Sequence, residues 1–292
     1  MKRSHTTEKQ SEVAPNEAIE RLIEMWVYDR SPYTADCYRR YAHRFLVFIN
    51  KPLHLVTLAD IQGFGMSLKR LSPNTQRTAL AAVKSLLSFG NKIGVLSVNV
   101  GTLVNSPKAR DTLNERILSE QEVKTIIGLE MNKRNRAILQ LLYFAGLRVS
   151  ELCQLRWKDL QQRGESGQLT VFGKGGKTRT VLLSAGVFHE VCELRDPTSA
   201  DDPVFRSRES DDNGHNLDRS QVYRIVSAAA ERAGIQGKVS PHWLRHAHAS
   251  HSLDRGAPIH LVQQTLGHAS IATTTRYLHA RPNDSSGLYL PT

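Results

Sequence analysis

The stretch "SPHWLRHAHASHSL", residues 240–253, holds four histidines and one arginine, residue types that bind metals, move protons or grip phosphate. At about 100° per residue on a helix, His242 and His246 share a face, whereas His248 and His251 point to roughly the opposite side. Two imidazoles can begin a zinc site, but zinc takes three or four ligands, and the metalloprotease pattern HExxH fails because residue 243 is Trp. Arg245 would also set a guanidinium beside the dication, which is unfavourable. We therefore expect no metal here. An anion suits His242 and Arg245 better. Ser240-Pro241 reads as N-cap and first-turn proline, so both side chains leave the first turn of a helix, where the backbone dipoles favour negative charge. Phosphate is the expected guest; a capped helix with polar surface residues is the plainer alternative. His246, His248 and His251 read as packing or surface residues.

Three further stretches carry chemistry of their own. In "GLRVSEL" Arg148 follows a glycine break and Glu151 lies one turn on, placed to align the guanidinium fork for a phosphate or simply to form a helical salt bridge. "VFGKGGKTRT" resembles a nucleotide-binding P-loop but lacks its first glycine, because residue 171 is Val, and a strand-like "RTVLLS" follows where a helix is needed. What it leaves is Lys174 at a hairpin tip, from which an ammonium could reach a neighbouring site. In "PIHLVQQTLGHASIATTTRYLH" His268 sits on a turn after Gly267 and Tyr277 on the next helix. Alone, that stretch reads equally as a helix-turn-helix with a packed tyrosine.

The elements that must position these residues fall into two kinds. Residues 15–95 read as four helices, with Ile19, Leu22, Ile23, Trp26 and Val27, then Tyr38, Tyr41, Phe45, Leu46 and Ile49, at helical spacing. "VNVGTLVNSPKARDTLNER" has no such period and reads as a linker. Beyond it, Ser119 and Glu122 form a capping-box pattern, "NKRNRAILQLLYFAGLRVSELCQLRW" a buried helix broken at Gly146 before another, "GQLTVFGKGGKTRTVLLS" a β-hairpin, and 219–280 mostly helix. The stretch 190–218, with nine acids and three arginines, reads as a solvated loop. The expected fold class is mainly α with a small β-hairpin or sheet.

The 292 residues suit two domains, and 40% hydrophobic content supplies a core for each. Three scattered cysteines, Cys37, Cys153 and Cys192, form neither a disulfide framework nor a metal knuckle, which fits a cytoplasmic setting. No apolar run reaches the ~18–20 residues that span a bilayer, and the first residues lack the apolar core of a secretory signal. Net charge is +11, of which residues 1–110 hold +8 (16 basic, 8 acidic) and the remainder +3 (23 basic, 20 acidic). A polyanionic partner is implied, nucleic acid first among them.

Taken in order, Arg148 in "GLRVSEL", Lys174 in a glycine-rich hairpin, His242 and Arg245 in "HWLRH", His268 in "LGH" and Tyr277 resemble the tyrosine site-specific recombinases, the integrase family. The likeness covers roughly residues 15–280. It implies a lead-in over 1–14, a helical core-binding DNA domain over 15–98, a linker over 99–114, a mostly α catalytic domain over 115–280 and a tail over 281–292. It also implies a mechanism. Tyr277 would attack the scissile phosphodiester to leave a 3′-phosphotyrosyl link and a free 5′-hydroxyl, storing the bond energy so that no ATP, metal or other cofactor is required. Arg148 and Arg245 would neutralise the nonbridging oxygens, with Glu151 supporting Arg148. Lys174 would protonate the leaving oxygen, His242 assist proton transfer at the tyrosine, and His268 donate to the phosphate.

The partner implied is double-stranded DNA with a specific target site, clamped by two domains. A homotetramer, alone or with a paired recombinase, would exchange strands through a Holliday junction. Arg39, Arg40, Arg44, Arg77 and Lys84, on helix faces of the basic first domain, are expected to touch phosphate. With helices expected to start near residue 15, no room is expected for an arm-binding domain, and the layout resembles the compact Xer-type recombinases more than the larger phage integrases. The tail "ARPNDSSGLYLPT" departs from the family, whose members often pass a short C-terminal helix to a neighbour: its prolines, glycine and serines disfavour a helix. A type IB topoisomerase-like nicking enzyme and a non-catalytic DNA-binding regulator remain the alternatives.

Overall fold

A computed structural model describes residues 15–107, 113, 117–173, 176, 178–196, 199–207 and 216–278. The chain divides into two compact units, 1–110 and 111–292. None of the described helices is long and apolar enough to cross a membrane.

The first unit is four helices, α1 (Pro15–Val27), α2 (Pro32–Ile49), α3 (Leu58–Ser67) and α4 (Pro73–Lys92). Their starts follow local chemistry. Thr57 and Asp60 complete a reciprocal capping box on α3, and Ser72 accepts from the Thr75 N–H ahead of Pro73 on α4. The apolar stripes converge on Ile23, Phe45, Ile61, Phe64 and Leu86, all fully buried, with the Phe45 and Phe64 rings edge to face at 5.2 Å. The stretch expected as linker opens with structure of its own. Asn99 caps a short 3₁₀ turn, Val100–Leu103, whose buried Gly101 lies against α4, and Lys84 donates to the Val104 carbonyl at 2.6 Å. Side-chain capping of a glycine-bearing turn carries no 3.6-residue period, so the pattern of apolar residues does not announce it.

The second unit is built on α6 (Lys133–Phe144), whose Ile138, Leu139, Leu141 and Leu142 are fully buried. Around it stand α5 (Glu120–Gly128), opened by the expected Ser119–Glu122 capping box, α7 (Val149–Gln154), and a three-stranded antiparallel sheet. That sheet runs β1 (Leu160–Arg163), β2 (Ser166–Phe172), β3 (Thr178–Leu183), with Leu169 paired to Val181. The predicted hairpin is β2–β3; β1, four mostly exposed residues reading LQQR, has no hydrophobic alternation to announce it. A helix not read from the sequence, α8 (Ala185–Cys192), lays Phe188 over Gly167, where any Cβ would come within 1.9 Å of that ring. The unit closes with α9 (Arg219–Arg232), α10 (Pro241–Asp254), α11 (Ile259–Leu266) and α12 (Ile271–Leu278).

The acidic stretch 190–218 is only partly a solvated loop. Val204, Phe205 and Leu217 are buried in the core, and Arg156 bridges to Pro203 as Arg206 does to Asn216. Three apolar side chains outweigh a run of exposed acids once the core offers them a place.

Candidate active site

The site is assembled around the end of α11. Gly267 takes φ +61°, the left-handed conformation that terminates a helix and leaves its last carbonyls without intrahelical partners. Three guanidiniums satisfy them. Arg179 Nε donates to the Thr265 carbonyl at 2.7 Å, Arg245 Nη2 to that of Leu266, and Arg148 Nη2 to that of Gly267 at 2.8 Å. Helix-end carbonyls are electronegative, which suits cations there. A second glycine serves the same purpose: Gly146, at φ +58°, turns the chain out of α6 so that its carbonyl accepts from Arg245 Nη1. A Cβ at Gly146 would meet Leu266 at 2.8 Å and His248 at 3.0 Å, so conformation and space both require glycine.

Glu151, on the first turn of α7, joins the three. Its carboxylate receives Arg148 Nη1 at 2.7 Å, the Arg148 backbone N–H at 2.8 Å, and both Arg179 terminal nitrogens at 2.9 and 2.8 Å, with Arg245 Nη1 at 4.0 Å. Burial alone would raise its pKa; the hydrogen bonds from Arg179 and Arg148 override it and hold the carboxyl at about 2. Arg245 is 4% exposed, and burial with the neighbouring charge of Arg148 lowers it to about 9, still protonated at neutral pH. Three guanidiniums against one carboxylate leave a surplus of two positive charges, fixed in place by backbone acceptors.

Tyr277, on α12, is buried beside this cluster. Burial raises its pKa against the opposing fields of Arg245, Arg276 and Arg148, so the resting phenol is protonated. Its hydroxyl lies 2.7 Å from His246 Nδ1. His268 stacks on the Tyr277 ring, planes 7° apart and centroids 6.3 Å, with Nδ1 turned 2.9 Å from Thr274 Oγ1. Burial, then Arg245, Arg148 and Arg179, pulls His268 down to about 4, making it a neutral imidazole at pH 7. His242, one turn before His246 with ring centroids 6.2 Å apart, is the exposed residue of the first turn of α10; partial desolvation and the charges of Arg245 and Arg148 lower its pKa.

The structure thus brings together Arg148, Glu151, His242, Arg245, His268 and Tyr277. Lys174 lies outside the described residues; the strands on either side end at Phe172 and resume at Thr178. Two participants were not singled out from the sequence. Arg179 sits in "GGKTRT" at an unremarked strand position, and only the fold carries it to Glu151. His246 carried a signal, its shared face with His242, yet it read as packing. His248 and His251 do pack: His248 Nδ1 lies 2.7 Å from the Tyr143 carbonyl and His251 Nδ1 3.0 Å from the Tyr143 hydroxyl.

The basic residues of the first unit differ among themselves. Arg40, Arg44 and Arg77 are exposed, with Arg40 also over the Tyr41 ring at 5.3 Å. Arg39 is engaged by Glu24 through two hydrogen bonds, at 2.8 and 2.9 Å, and by Asp36 at 3.0 Å, while Lys84 holds the Val104 carbonyl. Those two could meet an external anion only by giving up these partners.

Comparison with known proteins places these features in a wider set. Residues 116–284 match the phage integrase family, and 19–90 match the N-terminal SAM-like domain of phage integrases. The chain is 32% identical to tyrosine recombinase XerC of Pelobacter propionicus, covering 85% of each. Its fold is similar to that of XerH site-specific recombinase bound to a palindromic difH substrate, a post-cleavage complex (TM-score 0.73, 22% identity, 91% of this chain and 81% of that one). It is also similar to a lambda integrase tetramer bound to a Holliday junction (TM-score 0.74, 16% identity, 95% and 80%).

Proposed function

The chain belongs to the phage integrase family, as a tyrosine recombinase of Xer-like organisation, and on that premise we propose that it cuts and rejoins duplex DNA through a phosphotyrosyl bond at Tyr277. The observation that carries this reading is the two-charge surplus of Arg148, Arg179 and Arg245 over Glu151, fixed beside a buried tyrosine. A pentacovalent phosphate gains charge on its nonbridging oxygens, and prearranged guanidiniums stabilise that charge without reorganising during the step.

In this reading Tyr277 Oη bonds to phosphorus and the 5′-oxygen leaves, taking a proton from Lys174, so that DNA keeps its phosphate on the protein as a 3′-phosphotyrosine. The arginines do what metal ions do in other phosphoryl transfers, and the stored bond energy makes ATP unnecessary. Neutral His268 donates to a nonbridging oxygen. His242, its ring 6.2 Å from that of His246, assists proton transfer at the tyrosine from the exposed edge of the site.

The substrate is double-stranded DNA with a defined target site, met in the cytoplasm and held by four copies of the chain, alone or with a paired recombinase. Strands exchange in two steps through a Holliday junction. The lambda integrase tetramer on a Holliday junction supports that assembly by analogy of fold, and the XerH complex supports binding to a DNA target. Exposed Arg40, Arg44 and Arg77 supply phosphate contacts from the first unit, while Arg39 and Lys84 stay with their partners inside it.

Covalent capture tests the proposal. Cells are lysed in detergent, DNA-linked protein is isolated, and the attached DNA is sequenced, for the wild type and Tyr277→Phe. Adducts at one or a few loci that vanish in Tyr277→Phe are expected. Adducts scattered over the genome would instead indicate relaxation without a target, and DNA binding with no adduct would indicate a regulator.

A further inference from the structure

We propose that His246 takes the phenolic proton from Tyr277 during DNA cleavage, acting as the general base that the nucleophile requires. This deepens the phosphotyrosyl reading and rests on it. Among the described residues three imidazoles lie near Tyr277, and geometry separates them. His268 lies flat against the phenol ring and directs Nδ1 to Thr274. His242 is a further ring away, 6.2 Å from His246, on the exposed side of α10. His246 alone among the three has a ring nitrogen in hydrogen-bond contact with the reacting oxygen, at 2.7 Å, with ring centroids 5.6 Å apart.

The direction of that bond follows from the phenol's state. A protonated, buried hydroxyl beside arginines donates, and Nδ1 accepts in the tautomer that carries hydrogen on Nε2. With its proton pointed at His246, the oxygen keeps its lone pairs available for phosphorus. The step then balances: the Oη–P bond forms, the P–O5′ bond breaks, the proton passes from Oη to Nδ1, and the 5′-oxygen takes another from Lys174. In religation the protonated imidazole returns its proton to the departing phenolate. Among the described residues, Arg245 on α10, Arg276 on α12 and Arg148 at the start of α7 act on the Tyr277 hydroxyl, cations that stabilise the developing phenolate. Among the described residues His242 and His268 also face the pair.

The test uses a nicked duplex carrying the locus recovered by covalent capture, with the full-length chain in single-turnover conditions. His246→Asn keeps an acceptor near the place of Nδ1 but cannot take a proton. Adduct formation is expected to slow by about 100-fold or more in His246→Asn and His246→Ala alike, the usual share of a general base. Both variants should still gain rate with rising pH where the wild type has levelled off. A 5′-bridging phosphorothiolate, whose sulfur leaves without a proton, should rescue Lys174→Ala and leave His246→Asn slow. Wild-type rate and pH profile in His246→Asn, or its rescue by the phosphorothiolate, would overturn the role. Should His246→Asn not fold, difluorotyrosine at position 277 in the wild-type chain decides. A break in the pH profile that stays where it was supports His246, and one that follows the phenol's acidity contradicts it. Absence of any adduct from the wild type would overturn the phosphotyrosyl reading itself and take this inference with it.

Discussion

Arginines in the two units are used in opposite ways. In the second unit Arg148, Arg179 and Arg245 are tied to Glu151 and to the carbonyls of Gly146, Thr265, Leu266 and Gly267, and Arg245 is almost wholly buried. In the first, Arg40, Arg44 and Arg77 project into solvent from amphipathic helices. Burying a guanidinium costs several kcal/mol unless every donor finds a partner, so a fold accepts it only where fixed charge is worth that cost. Stabilising a phosphoryl transition state requires fixed charge, whereas attraction to a polyanion requires only net charge within a Debye length. Arg39 shows what separates the two: its pairing with Glu24 and Asp36 is exposed, shifts the arginine upward and the glutamate downward in pKa, and serves packing of α1 on α2 rather than an external anion.

The largest effect that could break this contrast comes from Arg245. Arg245→Ala should slow adduct formation by about 10³-fold, the usual cost of removing a fixed donor at an oxyanion, and should also destabilise the second unit by leaving two buried carbonyls unpaired. Arg245→Lys should recover little, since one ammonium cannot span the Gly146 and Leu266 carbonyls and still face a phosphate. Single-turnover rates at saturating DNA measure both; near-wild-type rates in Arg245→Lys would show that fork geometry is irrelevant.

Next in size is the acid side of stability. Glu151 is held at about 2 when folded, below its ordinary 4.5. A depressed carboxylate contributes stability that is present above the unfolded pKa and lost as pH falls through the folded one. The Glu151 contribution, about 3 kcal/mol by linkage, should therefore disappear between roughly pH 4.5 and 2. His248 and His268, pulled down by burial to about 4, add a loss that begins as pH drops below 6.5 and ends near 4. Urea midpoints should fall through both windows. A flat response would mean that the buried charges are not what holds the site.

On the first unit, replacing Arg40, Arg44 and Arg77 together by Glu should weaken binding to random duplex and lower the salt slope by about 0.9 for each phosphate no longer neutralised. Cleavage at saturating DNA should not change. The smallest effect is expected from Arg39→Ala, whose partners are Glu24 and Asp36: no measurable change in DNA affinity, read in the same titration. A loss equal to that of the triple variant would place Arg39 on the DNA after all.

The sequence carried those features whose signals are local. Gly146 and Gly267, the capping box at Ser119, and the order from Arg148 to Tyr277 are legible in a few residues each, because helix breaks and caps depend on nearest neighbours. Arg179 was not, since a strand residue 28 positions from Glu151 announces no pairing. Nor was the meaning of His246: helical spacing placed it beside His242, but the phenol it meets comes from 31 residues further on, and only the packing of α12 on α10 brings them together. Short elements failed for the same reason. β1 carries no alternation of its own, and α8 offers only the single Val187–Val191 pair on one helical face.

One measurement bears most directly on Tyr277 as the nucleophile. DNA-linked protein from the producing cell is digested with nuclease and protease, and the nucleotide-bearing peptide is sequenced by mass spectrometry. A phosphotyrosyl nucleotide on Tyr277, within the α12 peptide, is the expected result. A nucleotide on any other residue would contradict it.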